Sequence, residues 1–174
     1  MFRGNEEEGV TTISELTPEH VDLVAEWLSN SEINRWLTGD WRDKSATATL
    51  VAMLVRNKRN RVFLIHFNGE PCGLVALADI DNADRTAMVW YFLGDPSLYG
   101  RGITASAITQ LATLSFRKMG LASLYAWTME DNQPSKGVLR KVGFREAGRI
   151  RRATSSAGRQ LDRVYFDLVS DEIR

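Results

Sequence analysis

Two apolar runs joined by Asn68-Gly69 restrict this chain more than any other feature. Arg61–Phe67 is rich in β-branched and aromatic residues, and Cys72–Ala78 returns with the same character. Asn-Gly takes the positive φ values of a two-residue hairpin turn, so it sets both the direction and the register of its flanking strands. A polar stretch holding Asp79, Asp81, Asn82 and Asp84 leads to a third run, Thr86–Leu93. The three runs read as an antiparallel meander. A sheet of this kind must bury at least one face, and the rest of the chain supplies helices to cover it.

Val10–Leu16 reads as a first strand. Thr17 then suits an N-cap, Pro18 the first helical position, and Leu16 with Val21 a hydrophobic staple. The stripe Val21, Val24, Trp27, Leu28 continues that helix. A Trp-rich stretch with Ile33, Trp36, Leu37, Gly39 and Trp41 follows, and Ser45 opens a second helix carrying Leu50, Val51, Leu54 and Val55. Beyond the meander, Ile103 to Leu114 has helical spacing and Gly120 ends it. Leu124–Met129 is a fifth strand, Pro134–Val142 a short helix closed by Gly143, and two last strands near Phe144–Ala153 and Leu161–Val169 flank Ser155–Gly158. The order β-αα-βββ-α-β-α-ββ predicts an α/β fold, a mixed but mostly antiparallel seven-stranded sheet flanked by about four helices. Residues 1–9 read as a flexible acidic leader, and 10–174 as one domain.

Composition narrows the function classes. The chain has 22 Lys plus Arg against 22 Asp plus Glu, a formal charge of zero, which disfavours nucleic acid and polybasic membrane binding. One cysteine, Cys72, excludes an intrachain disulfide, and two histidines, His20 and His66, make a His/Cys zinc site an unsuitable reading; no metal is expected. No apolar run approaches the ~20 residues of a membrane span. Glu6-Glu7-Glu8 stands where a signal peptide would be basic and then apolar, so the expected location is the cytoplasm.

The residues from 86 to 119 carry the chemistry. Gly100 and Gly102 precede a helix, where converging backbone N–H groups and the helix dipole favour a phosphate, and Arg101 adds a full charge. The loop lacks Gly-Lys-Ser/Thr and the third glycine of a dinucleotide fingerprint. On spacing alone, a capping turn explains it equally well.

Asp95-Pro-Ser-Leu-Tyr-Gly-Arg-Gly-Ile-Thr104 resembles the acetyl-coenzyme A loop of the GCN5-related N-acetyltransferases, Gln/Arg-x-x-Gly-x-Gly/Ala, with Gly102 at its first required glycine. Asn132-Gln-Pro-Ser135 and Leu139-Arg-Lys-Val-Gly143-Phe144 resemble that family's second signature. Glu26-Trp-Leu-Ser-Asn30, Gly148-Arg-Ile-Arg151, Gly158-Arg159 and Asp162 are similar to the branch that acetylates ribosomal-protein N-termini, polyamines and amino sugars. The resemblance spans residues 10–169. It implies acetyl-CoA as co-substrate, bound by Phe92, Leu93, Tyr99, Gly100, Arg101, Gly102, Ile103, Thr104, Asn132 and Ser135. It also implies direct transfer to an amine, either of a small molecule (an amino sugar or a polyamine-like compound) or of a protein N-terminus. A homodimer is a further expectation, since the last strands of this fold often pair between subunits.

Departures from the family pattern shape the catalytic reading. Tyr99 and Thr104 replace its Gln/Arg and Gly/Ala, and Tyr99 is expected to keep a backbone N–H for the phosphates. Leu139 stands where many members carry a Tyr acid, and Val89 where many carry a Glu. Ser135 is then the candidate donor to the leaving thiolate, and backbone N–H groups around Tyr91–Leu93 the candidate oxyanion donors. The base stays open among Asp79, Asp81, Asp84, Glu130, Asp131, His66 and a water relay. Cys72 reads as a buried small residue. Trp27, Trp36, Trp41 and Asp79 are the acceptor-side candidates. The two missing catalytic residues leave a second class, a non-catalytic acyl-CoA-binding module.

Overall fold

The computed structural model describes residues 9–37, 46–156 and 158–173. Seven strands form one sheet: β1 (Thr11–Glu15), β2 (Arg61–Phe67), β3 (Glu70–Asp81), β4 (Thr86–Leu93), β5 (Ser123–Met129), β6 (Arg145–Ser156) and β7 (Arg159–Val169). Their spatial order is β1-β2-β3-β4-β5-β7-β6. The helices are α1 (Val21–Ser29), α2 (Ser31–Asn34), α3 (Ala48–Arg56), α4 (Ile103–Arg117) and α5 (Gln133–Val142). The mixed, mostly antiparallel seven-stranded sheet is as expected, with one more helical turn than the four predicted.

The extra helix has a local cause. Asn30 is extended, φ −76° and ψ 122°, which stops α1, and its side chain then accepts the Glu32 N–H to cap α2. Thr17 does not cap a helix with its side chain. It precedes a 3-10 turn, Pro18–His20, and its hydroxyl is spent on Glu19 and His20 instead. α3 starts later than Ser45, at a cap made by Thr47 Oγ1 accepting from Leu50 N–H. Ser45, Trp41, the turn Thr38-Gly39-Asp40 and the leader up to residue 8 lie outside the described residues.

Asn68 and Gly69 have φ of 52° and 88°, the left-handed values their turn needs. The hairpin closes with Phe67 opposite Glu70, so β3 begins two residues before Cys72. It also runs on to Asp81, through a bulge between Ala78 and Asp81 where Asp79 takes φ 51°.

Period-two alternation sends each strand's apolar residues to two layers. Leu64, Leu74, Ala76 and Phe92 pack with Val24, Leu28 and Val51 of α1 and α3. Ile65, Val75, Leu77, Leu93, Leu124 and Phe166 pack on the other face with α4 and α5 residues such as Ile108, Leu111 and Leu139. The order α-layer, sheet, α-layer places β4 and β5 at the centre. β4 and β5 are parallel neighbours for only three residue pairs, ending at Met88 opposite Tyr125, and then part. No helix among the described residues is long and apolar enough to cross a membrane.

Candidate active site

The parting of β4 from β5 exposes backbone groups in the middle of the sheet. Gly94 donates to the Cys72 carbonyl at 2.8 Å, and Leu93 stands opposite Gly73. Bonded and non-bonded pairs alternate along an antiparallel ladder, so Trp90 and Phe92 direct their N–H groups to β3 while Tyr91 and Leu93 direct theirs toward β5. The paired β4–β5 register has already ended there, at Met88 and Tyr125.

A cleft of about 840 Å³ fills this gap and continues onto both faces of the sheet. On the α4–α5 face it is lined by Tyr91, Gly100, Gly102, Thr104, Ser135 and Lys141. On the α1–α3 face Trp36, Asn60, Asp79, Met88, Trp90 and Trp127 line it.

The loop before α4 is built to collect N–H groups. Asp95 accepts from Ser97 N–H at 2.9 Å, which folds the 3-10 turn Pro96–Leu98, and the Ser97 hydroxyl and then its N–H hold the Asp95 carboxyl below the usual range. Gly100 and Gly102 both have φ of 80°, and Arg101 between them does not. Such alternation points successive N–H groups into one concavity. The first bond into α4 is Ser106 N–H to Gly102 O, so the N–H groups of Ile103, Thr104 and Ala105 precede it. Lys141 of α5 reaches this point: its Nζ lies 3.3 Å from where a Gly102 Cβ would stand. Two expectations fail to converge here. Tyr99 N–H is already spent on Pro96 O at 3.1 Å, although the Tyr99 side chain lines the cleft. Arg101 lies 5.9 Å over the Phe67 ring and does not line the cleft; the local cation there is Lys141.

At the start of α5, Asn132 Oδ1 accepts from Ser135 N–H at 3.1 Å, an N-cap that fixes both residues against the gap. Ser135 Oγ and Tyr91 OH are 2.8 Å apart, and Tyr91 OH also reaches Ser135 O at 3.4 Å. Burial pushes the Tyr91 phenol up to about 12, only partly opposed by the Ser135 bond. Leu139 is fully buried and Val89 nearly so, which makes both core positions. Phe92, Leu93, Ile103 and Thr104 all line the cleft.

Most of the base candidates have structural duties. Glu130 accepts from Asp162 N–H at 3.0 Å, and Asp131 pairs with Arg159 at 2.9 Å. Asp81 caps the β3–β4 turn by accepting from Asp84 and Ala83 N–H, which hold its carboxyl low, Asp84 the more strongly. His66 bonds Ser14 at 2.8 Å. Burial, then the nearby Asp95, pushes the Cys72 thiol up to about 11. Asp79 is the one carboxylate among the described residues that line the cleft.

Of the acceptor-side tryptophans, Trp36 is half-buried in the cleft wall with the Arg35 guanidinium 5.0 Å over its ring. Trp27 belongs to the core. It meets Phe92 edge-on and packs so closely on Gly94 that a Cβ there would sit 2.4 Å from the indole. Trp41 is outside the described residues. Trp90, Trp127, Lys141 and Thr128 line the cleft without having been expected. Among the described residues no group of His, Cys, Asp and Glu is placed to hold a metal ion.

The family model for the acetyltransferase (GNAT) domain matches residues 11–145. The chain belongs to this family. The acetyltransferase is 25% identical to a putative ribosomal N-acetyltransferase, YdaF, of Bacillus subtilis (strain 168), over 92% of each chain. It is 26% identical to spermidine N(1)-acetyltransferase of Escherichia coli (strain K12), over 78% of its own chain and 73% of that one. Its fold is that of spermidine N-acetyltransferase from Vibrio cholerae, solved with CoA and spermine, with a TM-score of 0.83 at 18% identity over 94% and 97% of the two chains.

Proposed function

We propose that this acetyltransferase carries an acetyl group from acetyl-CoA to the primary amine of a small molecule with one ammonium on a flat apolar or sugar-like body. The observation that carries this reading is the cleft itself. It joins an anion-collecting helix start at one mouth to aromatic walls and, among the described residues, a single carboxylate at the other. The residues at the first mouth fit the co-substrate: the backbone at Gly100 and Gly102, the first N–H groups of α4, and the Lys141 ammonium would hold its pyrophosphate. Acetyl-CoA supplies the acetyl group as an activated thioester.

The chain's own groups then have distinct tasks. Tyr91 and Leu93 N–H groups stabilise the carbonyl oxygen as it gains negative charge. Asp79 pairs with the acceptor ammonium and takes its proton, directly or through water, since a free alkylammonium titrates near ~10. As the new C–N bond forms and the C–S bond breaks, the nitrogen loses its second proton to water, Ser135 gives its proton to the departing sulfur, and Tyr91 re-supplies Ser135 and regains its own proton from water. A thiol titrates near ~8.5, so a weak donor suffices. Holding both substrates in one cleft can supply much of the rate, with effective molarities reaching ~10⁵ M or more.

The acceptor argument rests on charge and shape. A polyamine carries several ammoniums, each of which wants a carboxylate when desolvated. The described acceptor wall offers Asp79 as its one carboxylate, includes the Arg35 cation stacked on Trp36, and is otherwise dominated by Trp36, Trp90 and Trp127. Such rings suit the face of a sugar or an alkyl-amine chain. A protein N-terminus is the second reading, supported by the similarity to a putative ribosomal N-acetyltransferase along most of the chain. Mass-spectrometric detection of acetylated product across amino sugars, monoamines, polyamines and N-terminal peptides tests the proposal. Amino sugars or monoamines should dominate kcat/KM; preference for spermidine or for peptides would overturn it.

A further inference from the structure

Two tryptophans of the acceptor wall already hold a cation. The Arg35 guanidinium lies 5.0 Å over the Trp36 ring, and that of Arg163 lies 4.1 Å over Trp127. Both rings line the cleft, and so does Arg35 itself. Neither arginine forms an ion pair with a carboxylate among the described residues. Arg163 is half-buried, and its Nε has no hydrogen-bond partner among them. A partly desolvated charge without a counterion is costly, so its place calls for a reason.

The place is the acceptor face. Val164, Phe166 and Leu168 pack into the α4–α5 layer, so Arg163 stands on the other face of β7. Trp127 pairs directly with Tyr165, which makes Arg163 its diagonal neighbour. Burial and then the Asp79 carboxylate push the Tyr125 phenol up, which sets Asp79 beside Tyr125. Trp127 is two residues further along β5, about 7 Å on a strand. A substrate held by one ammonium at Asp79 would therefore bring a second ammonium, a short chain away, onto the wall that the guanidiniums occupy. A bare aromatic face attracts a cation. Here a charge already stands behind the ring. With Arg163 4.1 Å on one side and an ammonium at a similar distance on the other, the two charges are about 8 Å apart. At an effective dielectric of about 20 that repulsion is worth roughly 30-fold in affinity, and salt screens it further. The same faces stay open to a neutral alkyl chain or sugar face.

We infer that Arg35 and Arg163 are specificity-determining residues that turn away acceptors with a second ammonium and leave the Trp36 and Trp127 faces to neutral parts of the substrate. The inference rests on the acceptor reading above, with Asp79 as the seat of the single ammonium, and names the groups that enforce it.

A ratio of acceptors tests this. Pentylamine and glucosamine carry one ammonium; cadaverine and spermidine carry more, and cadaverine differs from pentylamine only in that charge. The wild type should favour the first pair in kcat/KM. In Arg163→Met, and separately in Arg35→Met, kcat/KM for cadaverine and spermidine relative to pentylamine and glucosamine should rise roughly three- to thirtyfold. Arg163→Lys keeps the charge and should keep the wild-type ratio. Arg35 is exposed, so Arg35→Met should fold even where loss of Arg163 disturbs the sheet. A packing role would lower kcat/KM for all four amines alike and leave the ratio where it was. An unmoved ratio in both Met variants, with a wild type that favours single ammoniums, would overturn this inference and spare the acceptor reading. A wild type that favours spermidine or cadaverine, or acetylates no amine, would remove that reading and the inference with it.

Discussion

Gly102→Asp places a carboxylate where the pyrophosphate of acetyl-CoA is proposed to sit, and the structure separates its effect on binding from its effect on folding. Gly102 is the N-cap of α4 with φ 80°. An L-residue in that region costs about 1–2 kcal/mol. The new Cβ meets only the flexible tip of Lys141, at 3.3 Å, so sterics add little. Asp is also a good N-cap, a few tenths of a kcal/mol better than Gly. The net loss should be about 1 kcal/mol, or roughly 2–4 °C in melting temperature for a chain of this size. Binding should suffer far more. The carboxylate occupies the α4 N–H groups and pairs with Lys141, and a bound phosphate would forfeit at least two charge-assisted hydrogen bonds of about 1.5–3 kcal/mol each. Acetyl-CoA affinity should therefore fall about 100-fold or more. Gly102→Ala is the control: it carries the backbone strain without the charge and should lose affinity only several-fold. Titration calorimetry on the three proteins, with melts alongside, is the assay. Wild-type affinity in the Asp variant would refute the assignment of this helix start to the phosphates.

Ser135→Ala should lower kcat by about 10- to 100-fold, at or below the bottom of the usual ~100- to 10,000-fold range of acid catalysis, because thiolate leaves readily. Tyr91 keeps the Ser135 carbonyl as a fallback acceptor at 3.4 Å, so the variant should fold, and steady-state kinetics with chemistry rate-limiting would check it. The Tyr91 phenol is raised from 10.0 to about 12, so the folded state favours its neutral form. That contribution is complete below the unfolded value and is lost as pH rises through the folded one. Denaturant melts from pH 9 to 12 should show wild type losing stability relative to Tyr91→Phe only above about 10. Trp36→Ala should raise the acceptor KM several-fold, an aromatic contact of about 1 kcal/mol, with acetyl-CoA affinity unchanged. If Trp36 were instead a core residue, the same change would cost ~3–5 kcal/mol of stability and disturb both substrates.

The fold was legible because its strongest signals are local. Asn68-Gly69 needs no tertiary information to turn, and the alternation in β2, β3 and β4 follows from pleating. Gly100, Gly102, Asn132 and Ser135 could be singled out through the family resemblance, spacing alone leaving the two glycines as a capping turn, and in the fold each shapes a helix start within a few residues of itself. Thr128, Trp90, Trp127 and Lys141 could not. Each reaches the cleft only because β4 and β5 part and α5 lies against the α4 start, and nothing in their neighbours' spacing records that. Trp27 and Arg101 mislead for the converse reason. A tryptophan and an arginine look available in a sequence, yet Gly94 offers one a bed and Phe67 offers the other a ring.

The same distinction bears on the two family positions that this chain leaves apolar. Leu139 and Val89 belong to the apolar layer of the α4–α5 face, among residues such as Ile108 and Leu111, with Val89 at the cleft wall. A phenol or carboxylate in that layer would need a partner of its own, and burying one without it is costly. The polar groups that remain sit above that layer. Tyr91 and Ser135 already satisfy one another at 2.8 Å, so their desolvation is compensated before any ligand binds. Asp79 stays exposed, held out of the ladder by its bulge and left-handed backbone. The proposed proton donor and proton acceptor thereby stand on opposite faces of the sheet, with the Tyr91 and Leu93 N–H groups that face the gap between them. An amine entering past Asp79 and a thiol leaving past Ser135 would each meet the group suited to its proton, without either group having to titrate for the other.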